Sequence, residues 1–176
     1  MLQYISDKSH YSEVLSRCEK VLHDLWIATA DIKDLYVSSG RSVTPFLAII
    51  DGLLRRGVEV RLLHAKEPGE RFREDFDRFP ELWRRLDRRL CPRVHFKIMV
   101  FDCAMAYIGS ANLTGAGMGM KGDNSRNFEA GILTDDPLLV DEAAAHLDSV
   151  WQGRNCAHCR HKQFCGDRIA GSKSGR

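Results

Sequence analysis

His95-Phe96-Lys97-Ile98-Met99-Val100-Phe101-Asp102, then six residues, then Gly109-Ser110-Ala111-Asn112, is the stretch whose reading decides the fold. The pattern is H-x-K-x4-D-x6-G-S-x-N without a gap. At roughly 5% per residue type, six fixed positions arise by chance on the order of once in a hundred thousand chains of this length. Residues 94–100 and 106–108 read as two antiparallel strands turned at Asp102-Cys103-Ala104. Positions two apart on a strand share a face, so His95 and Lys97 are expected to point the same way. The returning strand brings Gly109, Ser110 and Asn112 back to the end where His95 starts. A nucleophilic imidazole, a fixed cation and neutral donors then meet at one point.

Outward from this stretch the chain alternates helical and strand patterns. Residues 9–24 carry Val14, Leu15, Cys18, Val21 and Leu22 at spacings of three and four, which predicts an amphipathic helix. Residues 26–30 read as a buried strand, and 42–54 as a second helix with Pro45 in its first turn. Gly57 ends that helix and 58–64 forms the next strand, completing a parallel βαβ unit. Between 69 and 90 one or two helices divide near Pro80 and carry the stripe Phe72, Phe76, Phe79, Leu82, Trp83, Leu86 and Leu90. That stripe is expected to pack on the sheet. The alternative sets some of Arg84, Arg85, Arg88 and Arg89 at the edge of a polyanion groove. The glycine-rich stretch 115–126 reads as a mobile loop on the substrate side, with Lys121 and Arg126 able to touch a phosphate backbone. A strand at 127–134 and a helix from Pro137 to about Trp151 follow, giving an α/β fold class.

The central pattern is the HKD signature, and the chain resembles the phospholipase D superfamily. Asn127-Phe128-Glu129-Ala130-Gly131 is similar to that family's downstream N-x-E-x-G element, and the resemblance covers about residues 9–152. It implies a mixed sheet flanked by helices and a phosphodiesterase that needs no catalytic metal. His95 would attack phosphorus to give a phosphohistidine, while Lys97, Ser110 and Asn112 hold the non-bridging oxygens. Glu129 would hydrogen-bond the other imidazole nitrogen. Asp102 sits at the turn, away from that point, so a structural role is expected for it and for Gly109. The family uses two facing HKD halves, and this chain carries one: His10, His146 and His158 lack a lysine two residues on, and His64-Ala65-Lys66 has Arg71 where the aspartate would stand. A C2 homodimer would supply the second half, the arrangement of the small bacterial endonucleases of this superfamily. Nucleic acid, DNA more than RNA, is the expected substrate. The competing readings are a phospholipase or phosphatidyltransferase, and an inactive nucleic-acid-binding module with this fold.

The second cluster is Cys156-Ala157-His158-Cys159-Arg160-His161-Lys162-Gln163-Phe164-Cys165, a C-x2-C-x5-C spacing that reads as metal ligation. It resembles the C-terminal iron–sulfur clasp of RecB-type exonucleases, which implies a structural cluster and a distant fourth cysteine. Zinc, completed by His158 or His161, is the alternative. A helix running back from 137 to 151 would deliver Cys156 to the end of the sheet where His95 starts. Cys91 lies at that end, Cys103 in the opposite turn and Cys18 on an apolar stripe, so Cys91 is the expected fourth ligand.

The 176 residues are 44% apolar and 28% charged, with 26 Lys+Arg against 24 Asp+Glu. That composition excludes disorder, collagen and coiled coil. A net charge of +2 gives no bulk signal for a polyanion, although residues 154–176 hold six basic side chains against Asp167 alone. No apolar run reaches membrane-spanning length, and a cytoplasmic location is expected. The expected organisation is a catalytic domain at 1–152, a cysteine-rich clasp at 153–168 and an unstructured tail at 169–176.

Overall fold

Burial with a period of two splits the apolar residues of the central strands into two cores, one on each face of a sheet. The computed structural model describes residues 1–33, 35–39 and 42–165; the tail expected at 169–176, and the end of the clasp, lie outside them. In chain order the elements are β1 (Leu2–Ser6), short helical turns at His10–Val14 and Leu15–Lys20, β2 (Asp24–Thr29), β3 (Tyr36–Ser39), β4 (Ser42–Pro45) and α1 (Phe46–Arg55). Then come β5 (Glu59–His64), α2 (Glu70–Asp77), α3 (Pro80–Arg85), β6 (Asp87–Leu90), β7 (Lys97–Phe101), β8 (Met105–Gly109), β9 (Ala130–Thr134) and α4 (Pro137–Trp151).

Seven strands form one mixed sheet in the order β1-β9-β8-β7-β2-β5-β6. The β2–β5 and β5–β6 pairs are parallel and the others antiparallel. The expected βαβ unit is therefore β2-α1-β5. One face carries Leu25, Ile27, Val60, Leu62, Met99, Phe101 and Tyr107 under the 10–20 turns and α1 to α3. The opposite face carries Ala28, Leu63, Ile98, Val100 and Ala106 under Val140, Ala143, Leu147 and Trp151 of α4. Among the described residues no helix is long and apolar enough to cross a membrane.

Four boundaries differ from the sequence reading. The expected helix at 9–24 is a wide π turn followed by tight 3₁₀ turns, and Leu22 is exposed. The expected helix at 42–54 starts at Phe46, and 42–45 pairs with 36–39 as a hairpin. A residue before proline is pushed out of the helical region, so Thr44 and the extended Pro45 belong to the strand. The stretch 87–90 leaves the helical stripe to pair with β5. Finally, β7 begins at Lys97 and β9 at Ala130, so His95 and Glu129 stand just outside their strands.

Three of the four arginines of 84–89 have partners within the fold, and Arg85 is exposed. Arg84 pairs with Glu81, and the side chain of Arg88, 4% exposed, lies 3.6 Å from Glu67. Arg89 stacks 4.7 Å from the Trp151 ring centroid and donates to the Trp151 carbonyl. Arg61 stands over both Trp26 and Trp151 and pairs with Asp148 at 3.2 Å. Phe72, Phe76 and Leu82 are buried, which is the packing role expected of the stripe. At its other end α4 is capped by Asp136, whose carboxylate accepts from Leu138 and Leu139 backbone N–H groups, with Pro137 in the first turn.

Asp102 occupies the β7–β8 turn with φ +51, and its carboxylate accepts from the backbone N–H groups of Leu22, His23 and Asp24. It ties the hairpin to the start of β2, at the opposite end from His95. Burial works to raise its pKa, but the three backbone donors outweigh that and hold the carboxyl below its ordinary value. His10 is buried edge-on to Tyr107, and burial lowers its pKa below the ordinary value despite the bond to the Asp7 carbonyl.

Removing the Asp102 acceptor, by Asp102→Ala, is expected to cost about 1–3 kcal/mol in urea unfolding without changing activity per folded molecule. Both depressed pKa values contribute stability that is complete above the unfolded pKa and lost as pH falls. Stability is therefore expected to decline below about 6.5 through His10, and again below about 3.8 through Asp102. His10→Gln should flatten the upper branch alone, and an unchanged pH profile in that variant would contradict the assignment.

Candidate active site

Lys97, Gly109 and Gly131 lie side by side across β7, β8 and β9. This register brings three chain segments to one end of the sheet: the entry to β7 with His95, the exit of β8 with Ser110 and Asn112, and the entry to β9 with Glu129. The convergence expected from the motif spacing is thus built by strand pairing.

Two glycines of the motifs have a steric cause. The Tyr107 ring is buried across them, and a Cβ at Gly109 would lie 2.2 Å from the Tyr107 hydroxyl and 2.8 Å from the Ala130 carbonyl. A Cβ at Gly131 would lie 2.5 Å from the same ring. Tyr107 was not singled out from sequence, because a tyrosine in a strand gives no sign that it replaces two neighbouring side chains. Its hydroxyl accepts from the Ala111 backbone N–H at 3.4 Å.

Each polar group has definite partners. The Lys97 side chain is buried on the Met99 face, and its ammonium donates to the His95 carbonyl at 2.7 Å, fixing the cation beside the histidine. Asn112 accepts at Oδ1 from the Asp31 backbone N–H at 3.1 Å and the Thr29 hydroxyl at 3.3 Å. Its Nδ2 is therefore turned away from those donors, as a donor in its own right. Ser110 donates to Glu129 Oε2 and accepts from the Ala130 N–H at 3.0 Å. Asn127 donates to Glu129 Oε1 at 2.9 Å, and Asp7 accepts from the Glu129 N–H at 3.2 Å. His95 is exposed. Among the described residues no hydrogen bond joins Glu129 to its ring, and the Glu129 carboxylate accepts instead from Ser110 and Asn127. Thr29, Asp31 and Asp7 were not legible as site residues; only the N-x-E-x-G spacing pointed to Asn127.

The glycine-rich stretch packs closely. A Cβ at Gly117 would lie 2.5 Å from the Asn112 carbonyl, and Gly119, at φ +71, lies against the Asp7 and Lys8 backbone. Arg126 pairs with Asp123, which also binds Lys8 at 2.8 Å, so Arg126 is committed within the loop. Lys121 is exposed. Phe128, beside Glu129, is 90% exposed.

The cysteines separate into two sets. Cys18 is buried in the core and Cys103 lies at the far turn against Asp24. Cys91, Cys156, Cys159 and Cys165 line a single cavity of about 280 Å³ together with Arg93, Phe96, His146 and Val150. Among the described residues no three His, Cys, Asp or Glu side chains are set to hold one metal ion.

Comparison with known proteins now bears on this geometry. The family described as "Cardiolipin synthase, PLD-like domain" matches residues 13–151. A comparison with curated protein sequences finds no match. Among solved structures, NucT from Helicobacter pylori is similar at a TM-score of 0.63 and 13% identity, over 86% of this chain and 97% of that one. Nuc from Salmonella typhimurium, a phospholipase D family member, is similar at 0.63 and 16%, over 86% and 94%. The archaeal chromatin protein TrmBL2 is similar at 0.57 and 15%, over 86% of this chain and 52% of that one. The likenesses extend over the mixed sheet and its flanking helices, and with the family match over residues 13–151 they make this chain a member of the phospholipase D-like family.

Proposed function

We propose that the chain is a homodimeric nuclease that hydrolyses nucleic-acid phosphodiesters through a phosphohistidine, without a catalytic metal. The observation that carries this is the convergence of His95, Lys97, Ser110, Asn112 and Glu129 on one end of the sheet. His95 attacks phosphorus as one ester P–O bond breaks. Lys97 and the Asn112 Nδ2 group stabilise the charge on the non-bridging oxygens. Water then attacks phosphorus and the P–N bond breaks. Glu129 holds Ser110 in position and, when substrate draws Ser110 to a phosphate oxygen, becomes available to the His95 ring.

One general acid is missing from a single chain, because the leaving oxygen needs a proton and the attacking water must lose one. His95 of the partner subunit supplies both transfers in this reading. A surface suited to the second copy lies beside the site. On the α4 face Tyr4, Ile132 and Ile108 form a directly paired row across β1, β9 and β8, exposed at 72%, 41% and 37%, with Leu2 and Leu139 alongside. An uncovered apolar row ending on an edge strand is a surface that proteins ordinarily cover.

For the substrate, the exposed Phe128 ring offers a base a stacking surface next to the phosphate site. Lys33, Lys121 and Arg93 are exposed cations for the backbone. TrmBL2 is described as binding DNA, which favours DNA over RNA for this chain as well. The family description also includes cardiolipin synthase, and phosphatidyl transfer would use the same His95. A thiol-rich chain of this kind fits a reducing, cytoplasmic setting.

Cleavage of DNA is expected to persist in EDTA and to fall by roughly 10³-fold or more in His95→Ala, with binding retained. Cleavage surviving that substitution, or activity confined to phospholipid, would overturn the reading. Phe128→Ala is expected to weaken single-strand binding by about 1–3 kcal/mol, measured by fluorescence anisotropy. Tyr4→Asp combined with Ile132→Asp should give a folded monomer by light scattering with little activity. Full activity in that monomer would remove the dimer from the mechanism.

A further inference from the structure

The cavity between the 91–96 segment and the C-terminal end of α4 is lined by four of the six cysteines. They arrive from two distant parts of the chain. Cys91 is held at the end of β6 by its N–H bond to the His64 carbonyl at 2.9 Å. Cys156 and Cys159 lie on one tight turn, closed by the Cys159 N–H to the Cys156 carbonyl at 3.2 Å. A further turn at 162–164 brings Cys165 back to the cavity.

The surroundings match what thiolate ligands need. The His161 backbone N–H points at the Cys159 sulfur at 3.4 Å, a donor that stabilises negative charge on sulfur. Gly153, at φ +69, ends α4, and a Cβ there would lie 3.3 Å from the Cys156 sulfur. Val94, Phe96 and Val150 form an apolar wall of the cavity, Arg93 adds a positive charge, and Cys156 and Cys165 lie on its exposed side. Four thiolates lining one cavity bring together negative charge that requires a cationic partner.

Cavity size bears on what that partner is. One zinc, with Zn–S bonds of about 2.3 Å, needs its thiolates within roughly 4 Å of one another. The cavity of about 280 Å³ has room for an inorganic core larger than one ion. In a four-iron cluster each thiolate binds a different iron, so the sulfurs stand further apart.

We propose that Cys91, Cys156, Cys159 and Cys165 ligate a four-iron, four-sulfide cluster. The four thiols lose their protons to solvent as they bind, and two ferric ions, two ferrous ions and four sulfides, all supplied from solution, make up the cluster. The cluster fastens the chain beyond Trp151 to the segment that leads into His95. It lies outside the reacting group, so it holds that segment in place and takes no part in bond breaking.

The test is iron and acid-labile sulfide content of full-length protein purified anaerobically and incubated with ferrous iron, ferric iron and sulfide. About four of each per chain, with broad visible absorption, is expected. Cys103→Ser should keep the full content, whereas Cys91→Ser and Cys159→Ser should each lose the absorption and become cleavable by trypsin at Arg154 and Arg160. One zinc per chain in place of iron, or neither metal in well-folded protein, would overturn the proposal. Full content in Cys91→Ser would overturn the ligand set. Should Cys91→Ser fail to fold, Cys91→Ala and the wild-type metal content still decide the matter.

Discussion

Close approach of one ring to two backbones sets the geometry of the catalytic end. Tyr107 can lie flat across β8 and β9 only because residues 109 and 131 carry no Cβ. That contact keeps Lys97, Gly109 and Gly131 in one row, and the row sets where Ser110 and Glu129 begin. The hydrogen bonds among Ser110, Glu129, Asn127 and Asp7 then hold the acidic side of the site, and Asn112 is turned by Thr29 and Asp31 on the other side. A slip of one residue in any of these strands would reverse the faces and scatter the group.

The opposite end is held by a different device. Asp102 collects three backbone donors at the turn, so the aspartate within the motif stabilises the hairpin at a distance from the reaction. Across the sheet, Arg61 and Arg89 clamp Trp151 and set the end of α4. That placement carries the chain toward Cys91, linking the packing of a helix to the cysteine cavity.

Much of this was legible because the signals were local. The six spaced residues of the HKD pattern, the βαβ alternation and the Pro137–Trp151 helix all depend on short-range periodicity, and topology alone set Cys91 beside the other three cysteines. The misses had long-range causes. β1 exists because β9 offers it an edge, and 87–90 is a strand because β5 does the same; neither stretch has a strong pattern of its own. Thr29, Asp31 and Asp7 reach the site through pairings more than 80 residues apart in sequence, which no spacing rule reports. Pro45 was read as a helix opener when its effect on Thr44 made it the end of a strand.

The central claim is that His95 attacks phosphorus, and the most direct measurement is to trap the adduct. Single-turnover cleavage of a short oligonucleotide in EDTA, quenched at neutral or alkaline pH and followed by peptide mass spectrometry, is expected to find one oligonucleotide fragment, joined through its terminal phosphate, on the peptide that carries His95. The adduct should be acid-labile and absent from His95→Asn. Cleavage that proceeds with no adduct at any quench time, or with the group on another residue, would contradict the account.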